Sequence, residues 1–321
     1  EIIKKSISAI EKVNSISYTE FYSSSAPFDT ANIINSYYVK SIAVKNPSDS
    51  LNLFSKVQMF KDTNQISNIY DFNYNVVLDH SDKIATIKDY SKYPEKRNGF
   101  NFRPLIVSSQ SLFKFALAEK EVEISLAEEN DKKWIIDFYF PNNRFEFWGT
   151  QVIKQGRPGH SSSLFTVSIN KVDFLPVKVH RKQIHHVTIS ELMNYEINRH
   201  EDLEVNAIRM IPRDFEIYDK SVKRKDDIEL LNNPAPNFSL LTVNGKKVEL
   251  NDFKERLVLL EFTSIGCGPC HFIIPRLKAI KEKYENNLFD IISVEAYMTK
   301  ANQQAIQRYL DKNEINYDFI I

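Results

Sequence analysis

Cys267 and Cys270 are the residues of this chain best suited to chemistry. They are its two cysteines, held apart by Gly268 and Pro269, and a pair at this spacing can close, open and exchange a disulfide. The pair lies in Phe262-Thr263-Ser264-Ile265-Gly266-Cys267-Gly268-Pro269-Cys270, between two patterned segments. Upstream, Leu257-Val258-Leu259-Leu260 is an unbroken apolar run that predicts a buried parallel strand. Downstream, Ile273, Leu277, Ile280 and Tyr284 fall at helical spacing, which predicts a helix starting at or just after the pair. The first turn of a helix leaves backbone N–H groups unpartnered and carries partial positive charge. A sulfur there is stabilised as thiolate, its pKa falling from about 8.5 to roughly 7 or lower. Cys267, first in the turn, is the expected exposed nucleophile, and Cys270, one turn inside, the expected resolving thiol. Gly268 and Pro269 shape the turn, where a proline forfeits no needed hydrogen bond.

Other chemistries are less well provided for. Two cysteines supply half of a tetrahedral zinc site, and His185-His186 lie in an alternating strand that points them to opposite faces. His271 completes Cys-Gly-Pro-Cys-His, formally a c-type haem attachment string. The Gly-Pro filling, the apolar strand before it and Pro275 after it favour the redox turn. No metal and no organic cofactor is therefore expected. Serines and carboxylates occur throughout, but in no nucleophile-elbow or glycosidase setting.

A length of 321 residues predicts two domains. Lys plus Arg equals Asp plus Glu, at 42 each, which gives no electrostatic case for nucleic acid. No apolar run approaches the 18 or so residues that cross a bilayer, and no basic-then-apolar leader opens the chain. A first residue Glu1 fits a processed or trimmed chain, loss of a leader or lipid-anchor segment included. With both cysteines in one motif, a structural disulfide framework is excluded. Of the seven glycines, Gly245, Gly266 and Gly268 cluster near the C-terminus, which suggests two modules of different style.

The N-terminal module opens with Ile3, Ile7 and Ile10 on one helical face. From Ser15 to about Lys88 short spans alternate, among them Tyr18, Phe21 and Tyr22, Tyr37-Tyr38-Val39, and Phe54, Val57 and Phe60. A helix is expected over 106–119, then strands at 121–126, 133–140, 143–149, 163–169, 174–180 and 184–193. Turns are marked by Pro141-Asn142-Asn143 and Gly156-Arg157-Pro158-Gly159. Residues 1–217 thus read as an antiparallel α+β domain. Its order of elements, with Asn170-Lys171-Val172-Asp173-Phe174-Leu175-Pro176-Val177-Lys178, resembles the half-barrel lipoprotein carriers of the LolA type, which implies a concave wall of aromatic residues for an acyl ligand. The plainer reading is that those aromatics are sheet core. Residues 218–233 form a linker in which Lys223-Arg224-Lys225-Asp226-Asp227 is a solvated connector. After the cysteines, Phe289 to Ala296 reads as a second buried strand. Thr299 could cap a helix to about Asn313, with Ile306, Tyr309 and Leu310 inside, and Tyr317 to Ile321 begins an edge strand or connector.

Cys267-Gly268-Pro269-Cys270 followed by Pro275 resembles the active-site turn and kinked helix of the thioredoxin superfamily. The lead-in Ala235-Pro236-Asn237-Phe238-Ser239-Leu240, then Asn244-Gly245-Lys246-Lys247-Val248-Glu249-Leu250, is similar to the TlpA/ResA-like thiol–disulfide oxidoreductases. The resemblance covers 234–321 and implies an α/β thioredoxin-like module in an extracytoplasmic, periplasmic or membrane-tethered setting, a lipid anchor outside this chain included. It implies thiol–disulfide exchange, in the direction of reduction, with protein or small-molecule disulfides as partners and an upstream electron donor. Glu261, six residues before Cys267, matches the buried acid that relays a proton to the resolving thiol. A buried carboxyl there has a raised pKa, although a strand residue reaching solvent is the alternative. Pro275 implies a kink, because it removes the bond to the His271 carbonyl. Gly266 stands where the family carries Trp, which leaves partner specificity open. The family's cis-proline loop, hairpin and last helix have no counterpart after Tyr317, so the module is expected to be incomplete at its C-terminus. The rival expectation is a protein that binds a hydrophobic ligand or a partner and carries a vestigial thioredoxin-like module.

Overall fold

The structure, a computed structural model, describes residues 1–26, 29–46, 54–60, 62–91, 105–148, 151–155, 162–183, 186–219, 233–284, 288–296 and 303–321. The turn at Gly156 to Gly159, His185, the run from Lys223 to Asp227 and Thr299 lie outside the described residues. The chain divides into two compact units, Glu1–Ser23 with Asn35–Lys223 and Ser24–Ile34 with Arg224–Ile321. Placing Ser24–Ile34 with the second unit is a grouping that the sequence reading, with 1–217 as one domain, did not contain.

The first unit opens with helix α1 (Ile2–Glu11), which buries Ile3 and Ile10. Strands β1 (Ser15–Ala26), β2 (Asp29–Lys45), β3 (Phe54–Phe60), β4 (Ile66–Tyr70), β5 (Tyr74–Asp79) and β6 (Ile84–Asp89) follow. After helix α2 (Leu105–Ala118) come β7 (Glu123–Glu129), β8 (Lys133–Phe140), β9 (Arg144–Trp148), β10 (Gln151–Gln155), β11 (Ser163–Asn170), β12 (Pro176–Gln183), β13 (His186–Ile197) and β14 (Glu216–Asp219). Twelve of these strands form one sheet in the order β14-β6-β5-β4-β3-β2-β1-β13-β12-β11-β8-β7, while β9 and β10 pair as a separate hairpin. The pairing of β14 with β6 is parallel; β11 pairs antiparallel with both β12 and β8. Period-two burial fixes the register: Phe165, Val167 and Ile169 of β11 all lie on the core face. Helix α2 covers that face with Leu112, Phe113 and Ala116, and Phe113 stacks on Phe138 at 5.4 Å between ring centroids. Each such fully buried aromatic contributes about 1.5–3 kcal/mol.

The second unit begins with a small hairpin of β15 (Ser239–Leu241) and β16 (Lys247–Glu249). Its turn depends on Gly245, whose φ of 80° is a conformation that favours glycine. Three parallel strands, β17 (Leu257–Thr263), β18 (Phe289–Glu295) and β19 (Asp318–Ile320), stand in the order β17-β18-β19. Helices α3 (Gly268–His271) and α4 (Ile274–Lys283) connect β17 to β18, and α5 (Gln303–Asn313) connects β18 to β19. Ile274, Ile306, Tyr309 and Phe319 meet in a core on one side of this sheet. On the other, Val248 packs with Ile292 and Ile320.

Two expectations need correction here. The run Leu257 to Leu260 is a strand, but it is not buried: Leu257 is 70% exposed, and Leu259 and Leu260 are exposed too. The reason is position, since β17 ends the sheet order and, among the described residues, pairs with β18 alone. The helix after the cysteines is interrupted where Pro275 implied a kink, and what differs is which of its residues are buried. The helix is one turn, α3, a break at Phe272 and Ile273, and then α4 with Pro275 in its first turn. Proline has no N–H to give the His271 carbonyl, and its ring crowds that oxygen. In consequence Ile274 and Leu277 are the buried positions, whereas Ile273 and Tyr284 are exposed. Among the described residues no helix is long and apolar enough to cross a membrane.

Candidate active site at the Cys267–Cys270 turn

Strand β17 delivers the chain to the site, and its last residue, Thr263, is buried. Thr263 accepts the Ala296 N–H at 2.9 Å, which ties the C-terminal ends of β17 and β18 together. Ser264 then organises the bend: its carbonyl accepts the Cys267 N–H at 2.9 Å and its Oγ accepts the Gly266 N–H at 3.2 Å. Between them Ile265 is fully buried and anchors the bend in the core that holds Ile274 and Ile306.

Cys267 and Cys270 are joined by a disulfide, their Cα atoms 5.3 Å apart. Both are partly exposed. The Cys270 backbone N–H donates to Cys267 Sγ at 3.2 Å. With α3 only one turn long, this directed bond, rather than the dipole of a long helix, is the visible support for negative charge on the sulfur. A donor aimed at a sulfur stabilises its thiolate. Gly268 and Pro269 open that turn.

Glu261 lies on β17 opposite Ser293 of β18, and Thr263 lies opposite Glu295. The two carboxylates therefore share one face of the sheet, two positions apart. Ser293 Oγ donates to Glu261 Oε2. Among the described residues no hydrogen bond joins Glu261 to either cysteine. Burial, with Glu261 beside it, pushes the Tyr317 phenol up to about 12. Tyr309 is pushed up too, by burial first and then by Tyr317, Glu261 and Glu295. Glu295 is the site residue that sequence reading missed. It is 6% exposed, and its Oε2 accepts the Ile265 N–H at 2.8 Å. The available signal was an acid at the end of a strand whose Phe289, Ile291, Ile292 and Val294 are apolar.

His271 packs its ring edge-on against Tyr309, with centroids 5.0 Å apart at 86°. Burial pushes its imidazole below the usual histidine value, against a raising hydrogen bond to the Ile265 backbone, and Lys312 adds to the lowering. Among the described residues no three His, Cys, Asp or Glu side chains gather as a metal site. The assembled groups are a closed dithiol pair, a donor on one sulfur and two carboxylates on one face of the β17–β18 pair, one of them bonded to the bend before Cys267, an arrangement suited to disulfide exchange.

Comparison with known proteins locates this unit. The AhpC/TSA family model matches residues 231–321. Thiol-disulfide oxidoreductase ResA of Bacillus cereus is 28% identical over 107 residues, 33% of this chain and 60% of that protein. Thioredoxin-like protein YneN of Bacillus subtilis is 28% identical over 87 residues, 27% of this chain and 51% of that protein. A solved thiol:disulfide interchange protein of the thioredoxin family from Chlorobium tepidum is 24% identical, with a TM-score of 0.26 over 28% of this chain and 59% of its own. The chain spans 60% or less of the length of these relatives. Its C-terminal part, the stretch that carries the AhpC/TSA match, is similar to the ResA-type thiol-disulfide oxidoreductases.

Proposed function

We propose that this chain is a thiol–disulfide oxidoreductase that reduces disulfides outside the cytoplasm. The observation that carries the reading is the Cys267–Cys270 disulfide with the Cys270 N–H on the Cys267 sulfur. In the reduced protein the Cys267 thiolate attacks one sulfur of a partner disulfide, forms a mixed disulfide and expels the other sulfur as thiolate. Cys270 then loses its proton and attacks Cys267 Sγ, which expels the second partner sulfur and closes the pair. Two electrons pass from the dithiol to the partner, and an upstream dithiol donor returns them. Glu261, whose carboxylate accepts from Ser293 Oγ, is the proposed proton acceptor for Cys270. Similarity to ResA-type relatives supports the activity, and the resemblance to TlpA/ResA proteins supports reduction as the direction and an extracytoplasmic, tethered setting. Insulin-type disulfide reduction by the 321-residue chain tests the reading. Activity that disappears on Cys267→Ser agrees with it, and turnover unaffected by that change refutes it.

A second reading rests on the first unit. A cavity of about 270 Å³ lies there, lined by Phe115, Phe140, Phe145, Val122 and Val152, with Glu119 and Lys154 among the charged residues. Its aromatic and aliphatic side would take a small hydrophobic ligand, the occupant that the half-barrel reading proposes. Native mass spectrometry of the purified chain decides it: a released apolar molecule together with an inert dithiol favours the carrier.

A further inference from the structure

Glu295 is a buried acid for which the exchange reaction described above has no task. Removing a carboxylate from water is costly unless hydrogen bonds replace the lost hydration. Here the replacement includes the backbone N–H of Ile265, 30 residues earlier in the chain, at 2.8 Å. That amide sits two positions before the nucleophilic sulfur, in the bend already tied by the bonds from Cys267 and Gly266 to Ser264. Among the described residues the bend is also held by Ile265 itself, a buried apolar anchor, by the His271 bond to the Ile265 backbone, and at long range by Glu295. Because Thr263 and Glu295 are register partners, the carboxylate stands at the very end of the strand pair, where the chain leaves the sheet for the cysteines.

We propose that Glu295 is a positioning residue for the dithiol: its carboxylate fixes the Ile265 amide and thereby holds Cys267 Sγ against the Cys270 N–H. The proposal rests on the exchange function as the purpose of the site, but its physical content is independent of turnover. Without the acceptor the bend loosens, the sulfur loses its directed donor for part of the time, and less thiolate forms at a given pH.

The test uses the full chain. Hydrogen exchange at Ile265 reports the loop, and thiolate absorbance of Cys267 in a Cys270→Ser background reports the sulfur. Glu295→Ala is expected to speed Ile265 exchange about tenfold or more, the loss of one charged hydrogen bond, and to lower the thiolate fraction at neutral pH about threefold or more. Glu295→Gln keeps an acceptor oxygen and is expected to retain Ile265 protection within about threefold. A merely structural acid would alter overall stability and leave the Cys267 titration in place. If the alanine variant does not fold, Glu295→Leu, which keeps the volume and removes the acceptor, replaces it. A folded variant without the acceptor whose Cys267 titration matches the parent overturns the proposal, whatever its Ile265 exchange, as does a folded glutamine variant that loses Ile265 protection. Wild-type protein that reduced no disulfide would refute the proposed function, while these two measurements would still decide the role of Glu295.

Discussion

At the scale of single residues, Cys267 is joined to Cys270, and a backbone N–H is aimed at its sulfur at 3.2 Å. Cys267→Ser should lower disulfide reduction by about a thousandfold or more, because no nucleophile remains to start the exchange. Cys270→Ser should leave the first attack intact and accumulate a mixed disulfide, visible as an added partner mass. Loss of both behaviours in one variant would contradict the division of roles. His271 makes a second prediction. Burial and Lys312 depress its folded pKa, so the folded state disfavours the charged ring. Its contribution to stability is full above an unfolded value of about 6.5 and is lost as pH falls through the folded value. The unfolding free energy should therefore decline as pH falls below about 6.5, and His271→Gln should flatten that decline. An unchanged slope in the variant would contradict it. The cysteine pair was legible in the sequence because its spacing is local. Glu295 was not, because its partner amide lies in a different strand-to-helix connection.

Among elements, Pro275 decides how the helix after the dithiol is built. Its missing N–H falls where a continuous helix would need a donor to His271, and α3 stops there. Pro275→Ala should extend regular helix through Phe272 and Ile273, read as NMR carbon shifts, and a break that persists would mean another residue imposes it. In β18, Ile292 is fully buried and packs with Val248 and Ile320. Ile292→Ala should cost about 2–5 kcal/mol by denaturant unfolding of this unit, whereas a loss under about 1 kcal/mol would show the site to be loosely packed. These elements were legible to different depths. Apolar runs and helical spacing revealed β17, β18, α4 and α5, and Ile306 and Tyr309 are buried as their spacing implied. Exposure of Leu257 was not legible, since a continuous apolar run reads the same in a central strand and an edge strand. The difference lies in which neighbour pairs with it, and that is set far away in the chain.

For the whole molecule, two units divide the chain, and the second draws in Ser24–Ile34 from the β1–β2 region. Composition could predict two modules but not this grouping, because Ala26 and Ile34 join the core of the second unit from more than 200 residues away in sequence. The AhpC/TSA match covers 231–321 and leaves the large sheet of the first unit outside it. Function in this molecule therefore depends on whether its dithiol cycles. The most direct measurement is a redox titration of the full chain in dithiothreitol buffers, with each poise quenched by thiol alkylation and read by mass. The expected result is a single two-electron transition of the Cys267–Cys270 pair between roughly −120 and −270 mV, the range of exchange-active dithiols. A pair that stays oxidised below about −300 mV, as a structural disulfide does, would contradict it.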